Sequence, residues 1–90
     1  MELLLVTSAF CAACARTRET LTEAVRLVPT VSMTEIDVAR SPDEAEALDI
    51  RATPTVLLRD DAGVEVFRAE GVPTLPQVLT VLADALPAPA

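Results

Sequence analysis

Short apolar runs separated by amphipathic stretches set the order of elements along this chain. Leu3 to Val6 is continuously apolar, the pattern of a strand covered on both faces. From about Ala12 to Val28, apolar residues return at helical spacing at Cys14, Leu21, Val25 and Val28, with Ala24 beside them. Arg16, Arg18, Glu19, Glu23 and Arg26 occupy much of the remainder, so this is an amphipathic helix, and Pro29 ends it. Val31 to Val38 reads as a second strand. Its alternation slips phase near Thr34-Glu35, which predicts an edge position with one face partly wet. Ser41-Pro42-Asp43-Glu44 is a helix start, with Ser41 as N-cap, Pro42 at the first helical position and Glu44 completing a capping box. That helix is short and runs to about Leu48.

Arg51-Ala52-Thr53-Pro54 precedes Thr55 to Arg59, a β-branched and Leu-rich strand. Asp60-Asp61-Ala62-Gly63 is a tight turn, and Val64 to Arg68 returns as the last strand of an antiparallel hairpin. After Gly71, Thr74 and Gln77 form a second capping pair ahead of the stripe Leu75, Val78, Leu79, Leu82 and Leu86. The predicted order is β-α-β-α-β-β-α, an α/β fold. The first two strands, joined through a helix, are expected to be parallel, with a right-handed crossover. The hairpin adds an antiparallel half, giving a four-stranded mixed sheet flanked by three helices. Residues 1–86 read as one domain and 87–90 as a flexible tail.

Composition narrows the chemistry. The chain has 90 residues, about the size of one small domain that buries roughly 60% of its unfolded surface. The sequence has neither Trp nor Tyr and only Phe10 and Phe67 as aromatics, so the core must be aliphatic. A net charge of −7, carried without Lys and without a basic stripe, argues against nucleic acid and anionic membrane as partners. The absence of His removes Ser-His, Cys-His and most catalytic zinc arrangements together. No apolar run approaches the ~20 residues of a membrane span. The N-terminus lacks the basic region and cleavage site of a signal peptide, so the chain is read as cytoplasmic.

Cys11 and Cys14 are the only cysteines, too few for a secreted disulfide framework. In a reducing compartment a close pair is catalytic or metal-binding, or simply fills space in a core. Cys11 falls at the junction of the first strand and first helix, facing the free backbone N–H groups and positive end of the helix dipole. Both favour the thiolate, the form that attacks a disulfide. Cys14, about one turn later and closer to the core, can reach Cys11 to resolve a mixed disulfide. Cys11 is thus the candidate nucleophile and Cys14 the resolver. Arg16 and Arg18 are near in sequence and read as solvated helix-surface charges. Pro54 opening a strand reads, on local grounds, as an ordinary trans and purely structural proline.

The chain as a whole resembles the thioredoxin superfamily. The resemblance is carried by Phe10-Cys11-Ala12-Ala13-Cys14, Glu35-Ile36-Asp37-Val38, Ile50-Arg51-Ala52-Thr53-Pro54-Thr55 and Gly71 before the last helix. It implies thiol–disulfide exchange with no cofactor, acting on a disulfide-containing protein or a low-molecular-weight disulfide. A thiol reductant or reductase would be the second partner, and the protein is expected to be monomeric. It further implies that Pro54 is cis and lies against the dithiol. Thr53 would pair through its backbone with an extended substrate segment, Gly71 would keep the adjoining groove open, and Phe10 would complete the substrate-binding set.

The departures matter as much. The extra N-terminal strand and helix of full thioredoxins are missing, leaving a smaller, glutaredoxin-like outline. Phe10 stands in place of a Trp, Ala12-Ala13 in place of Gly-Pro, and Leu5 in place of the buried Asp that accepts the second thiol's proton. Gly71-Val72-Pro73-Thr74 does not match the glutathione-binding pattern of glutaredoxins. Two other readings of the same CxxC remain. One is Cu(I) or cluster binding, although Ala9 replaces the Met expected of copper-transfer domains. The other is a binding protein that uses its thiols little.

Overall fold

The continuous apolar run after Met1 becomes an inner strand because its alternate residues feed two separate cores. The computed structural model describes residues 1–86 and contains β1 (Glu2–Thr7), α1 (Ala12–Leu27), β2 (Ser32–Asp37), α2 (Pro42–Ala47), β3 (Thr55–Arg59), β4 (Glu65–Glu70) and α3 (Leu75–Ala85). The strands form one sheet in the order β2-β1-β3-β4. β1 pairs parallel with β2 and antiparallel with β3, and β3 pairs antiparallel with β4. This is the predicted four-stranded mixed sheet with three helices. The expected tail at 87–90 lies outside the described residues.

On one face, Leu3 and Leu5 of β1 join Val56 and Leu58 of β3 beneath Leu21 and Ala24 of α1 and Val78 and Leu82 of α3. On the other, Leu4, Val6 and Leu57 pack with Ile36, Val38, Leu48 and Ile50 around α2. Strand side chains point alternately to opposite faces, so a strand covered on both must be apolar throughout. β2 is an edge strand with Ser32, Thr34 and Glu35 exposed, as the broken alternation predicts. The aliphatic core also holds: Phe67 only packs partly against it, and Phe10 lies outside it.

The two predicted capping boxes have different outcomes. At α3 both bonds form: the Thr74 hydroxyl accepts the Gln77 N–H (3.2 Å) and the Gln77 side-chain oxygen accepts the Thr74 N–H (2.9 Å). At α2 Ser41 is the N-cap, yet its hydroxyl makes no capping bond. The Asp37 carbonyl has already taken the Ser41 N–H (2.9 Å), the donor Glu44 would need. With ψ at 57°, Ser41 is also outside the extended geometry that aims a cap hydroxyl at the helix. That helix is secured at its other end. Asp49, at φ 55°, donates to the Glu46 carbonyl, and Ile50 donates to the Ala45 carbonyl (3.0 Å each). This is a Schellman closure, with Ile50 turned into the core.

Boundaries shift at β4, which begins at Glu65 and continues past Arg68 to Glu70. Val64 belongs to the turn, where the Asp60 carboxylate accepts the N–H groups of Ala62 and Val64 (2.9 Å each) and Gly63 takes φ 82°. An irregularity in register at Leu58/Arg59 follows. Leu86, assigned by pattern to the apolar stripe of α3, is its C-cap and is exposed.

Leu21 is wholly buried under α1, whereas Leu27 on the same helix is exposed. Leu21→Ala is expected to lower unfolding free energy by about 2–5 kcal/mol through lost burial and a residual cavity. Leu27→Ala should stay within about 0.5 kcal/mol of the parent. Urea denaturation followed by far-UV circular dichroism distinguishes the two.

Candidate active site

Cys11 is the N-cap of α1. Its backbone is extended (φ −111°, ψ 98°), and its Sγ accepts the backbone N–H of Cys14 at 3.0 Å. The sulfur thus occupies the place that a Ser, Thr or Asp oxygen takes in an ordinary helix cap. The first turn of α1 holds no acidic residue, so nothing offsets the positive dipole end facing that sulfur. A thiolate at this position gains a charge-assisted hydrogen bond that a neutral thiol does not. Cys11 and Cys14 are joined as a disulfide with Cα atoms 5.2 Å apart. Their accessibility differs: Cys11 is partly exposed and Cys14 is 1% exposed.

The loop before α1 bends sharply at Phe10, whose φ is +56° and whose side chain is fully exposed (108%). The loop before β3 carries Thr53 and Pro54, joined by a cis peptide bond, with Pro54 buried and Thr53 partly so. The Pro54 carbonyl accepts the Gly71 N–H at 2.9 Å, which ties this loop to the end of β4. Gly71 itself takes φ +91°, and a Cβ added there would meet nothing within 4 Å. Its backbone conformation requires glycine, and the space beside it is open. The Thr55 hydroxyl closes the loop internally by donating to the Ala52 carbonyl (2.6 Å). Finally the Ser8 and Thr53 hydroxyls lie 2.6 Å apart, linking the loop that carries the dithiol to the loop that carries the proline.

Two cavities flank this region. One, of about 500 Å³, is lined by Ser8, Val38, Ile50, Arg51 and Thr53 among others; the other, of about 550 Å³, lies along Phe67, Val72, Pro73 and Val78 between β4 and α3. Neither is lined by Cys11 or Cys14. Among the described residues no group of three or more His, Cys, Asp or Glu is placed to hold a metal ion. No helix among them is long and apolar enough to cross a membrane.

Beneath the dithiol the protein is uncharged. Leu5 is fully buried in the core shared with Leu21 and Ala24, and the buried polar residues among those described are Thr7, Thr17 and Thr55. The Thr17 hydroxyl, one turn beyond Cys14, donates to the Ala13 carbonyl (2.9 Å). On β2 the Glu35 carboxylate faces α1 and Thr7. Arg18 clamps it through two bonds (2.6 and 2.8 Å), and the Thr7 hydroxyl donates to it at 3.2 Å. Those bonds, the guanidinium first, hold the Glu35 carboxyl below the usual carboxylate range against the opposing effect of burial. The Arg18 guanidinium is correspondingly held above its ordinary value by the Glu35 hydrogen bond and charge. Arg18 is therefore a partner of β2 rather than a free surface charge. Arg16 remains exposed.

The sequence singles out the dithiol, Phe10, Thr53, Pro54 and Gly71 as candidates, and it does not single out the contacts of Ser8 and Thr7 or the Arg18–Glu35 clamp. No local pattern marks Ser8, because its partner is 45 residues away. The clamp had one available signal: a charged Glu35 on an otherwise strand-like segment, opposite a helix rich in Arg.

A family model described as Thioredoxin matches residues 2–84. Among solved structures, thioredoxin 1 of the thermophilic eubacterium Thermosipho africanus superposes with a TM-score of 0.82 at 17% identity, covering 93% of this chain and 92% of its own. The oxidised form of mitochondrial thioredoxin 3 of Saccharomyces cerevisiae gives a TM-score of 0.81 at 24% identity, covering 92% of this chain and 76% of that one. A chloroplastic thioredoxin z gives 0.82 at 23% identity, with 93% and 76% covered. At such identities the likeness is one of fold. No curated protein matches the sequence.

If the Cys11 sulfur caps α1, a hydroxyl should replace it and a methyl should not. Cys11→Ser is expected to be more stable than Cys11→Ala by about 1 kcal/mol in reducing buffer, read from urea midpoints. Acid titration tests the clamp separately. Because the folded-state pKa of Glu35 is depressed, its stabilisation is complete above the unfolded value of ~4.3 and is lost as pH falls through the lower folded value. Glu35→Gln should therefore flatten the fall in stability below about pH 4.3. An unchanged acid limb would assign that fall to other carboxylates.

Proposed function

The chain belongs to the thioredoxin family and is a thiol–disulfide oxidoreductase, and from that premise we propose that Cys11 is its attacking thiol and Cys14 its resolving thiol. One observation carries this assignment above the others. The partly exposed sulfur is the helix cap, and the buried one lies behind it within disulfide reach. Members of the family act on disulfide-containing substrates and are themselves reduced by reductases.

In the reducing direction the Cys11 thiolate attacks one sulfur of the client disulfide. A Cys11–client disulfide forms and the first client thiolate leaves. Cys14 then gives up its proton and attacks Cys11 Sγ, closing the Cys11–Cys14 disulfide and releasing the second client thiolate. Two electrons pass to the client, whose two sulfurs finish as thiols. An external dithiol restores the starting state by the same exchange in reverse. Among the described residues no carboxylate is buried that could take the Cys14 proton, the buried polar residues being Thr7, Thr17 and Thr55. The proton leaves to water or to the departing client thiolate.

The client is received by Thr53 and Pro54, beside Gly71, with Phe10 as an apolar contact. The Gly71-to-Pro54 bond and the open space at Gly71 support this reading, as does a fully exposed aromatic next to the nucleophile. The protein works as a monomer in the cytoplasm, and its two cysteines, too few for a secreted disulfide framework, support that compartment.

Cys14→Ser is expected to accumulate a mixed disulfide through Cys11 when incubated with oxidised client, seen as a mass increase that dithiothreitol reverses. Cys11→Ser should abolish turnover. Adducts formed through Cys14 in the Cys11→Ser protein at a comparable rate would reverse the two roles.

A further inference from the structure

We propose that Ser8 is a positioning residue, whose hydroxyl sets the alignment of the client-binding loop with the dithiol. The inference rests on the exchange reading above and adds a residue to it. Three side-chain or backbone bonds hold the Thr53–Pro54 loop. Gly71 N–H to the Pro54 carbonyl ties it to β4, and Thr55 Oγ1 to the Ala52 carbonyl folds it on itself. Both act within the β3–β4 half of the protein. Beyond the end of the β1–β3 ladder, which pairs Val6 with Thr55, the Ser8–Thr53 contact, 2.6 Å between hydroxyls, is the side-chain bond among the described residues that joins it to the segment carrying Cys11.

That segment needs an anchor. Ser8 follows β1 directly and precedes the bend at Phe10, where φ is +56°. Cys11 is then fixed by the start of α1. Between the end of β1 and the helix cap, the Ser8 hydroxyl is the side-chain contact that crosses to the client loop. The bond is partly buried, so water competes for it less than at an exposed site. One hydroxyl donates to the other, and both residues line the same cleft.

A client that pairs with the Thr53 backbone must bring its disulfide to Cys11 in line for attack. A small disulfide that reaches Cys11 without lying on that loop has no such requirement. Loss of the bond should therefore weaken exchange selectively with an extended client.

The experiment measures single-turnover rates of the prereduced protein with insulin and with the small disulfide dithiobis-nitrobenzoate, and takes the ratio of the two rates. Ser8→Ala is expected to lower the insulin-to-small-disulfide ratio about three- to tenfold, the scale of one lost hydrogen bond. Ser8→Thr, which keeps the hydroxyl, should restore at least half of the parent ratio. Thr53→Val should lower the ratio to a similar extent, and the double variant should fall no further than either single one. A ratio unchanged in Ser8→Ala, a full loss that Ser8→Thr does not restore, or additive losses in the double variant would each overturn the proposal. Failure of the exchange reading itself would look different: the parent would be inactive on both disulfides, or would keep its activity in Cys11→Ser.

Discussion

Much of this molecule depends on the bond from the Cys14 N–H to the Cys11 sulfur. It closes the first turn of α1, and in doing so it makes the reacting atom part of the secondary structure. A helix cap is placed by the strand and loop before it, so the position of the sulfur is inherited from β1. That strand is in turn fixed by two cores, one under α1 and α3 and one around α2. The nucleophile therefore rests on the most deeply buried part of a small sheet. The same bond biases the chemistry. A thiolate is a stronger acceptor than a sulfur shared with another sulfur, so the helix start favours the reduced, ionised form of Cys11.

The second half of the sheet contributes by backbone rather than by side-chain chemistry. β3 and β4 flank the cis-proline loop and Gly71. They present a loop whose main chain is held open, anchored at Gly71 and closed internally by Thr55. This division explains how the site operates without His, Lys or a buried carboxylate. In the exchange proposed above, thiolate formation draws on the helix, client capture on backbone groups, and the proton of Cys14 leaves to solvent or client. Arg18 and Glu35 pair through two hydrogen bonds and brace α1 against the edge strand.

How much of this could be read from the sequence varied with the range of the interaction. The inner strand was legible because burial on two faces leaves an unbroken apolar run, Leu3 to Val6, and the edge strand because its alternation fails at Glu35. The CxxC and its helix start are local and were legible too. Capping shows where local reading stops. Thr74-Gln77 and Ser41-Glu44 have the same spacing, yet only the first closes, because Asp37 takes the Ser41 N–H by a contact outside the motif. Ser8 and Thr53 meet only after β1 and β3 pair, so no window of sequence contains both.

The two residues with positive φ other than glycine make a final contrast. Asp49 takes φ 55° where a Schellman closure asks for it, in a residue type that tolerates the left-handed region, and local structure accounts for it completely. Phe10 takes almost the same angle with none of those reasons. Its bulk makes the conformation costly by about 1 kcal/mol or more, and its full exposure returns no burial. Folding alone would favour glycine or asparagine there. In the exchange proposed above, a strained, solvent-facing aromatic directly before the capping sulfur is apolar surface that a docking segment would cover. The cost is carried by β1 and the two cores on either side of it, which hold the loop whether or not a client is bound.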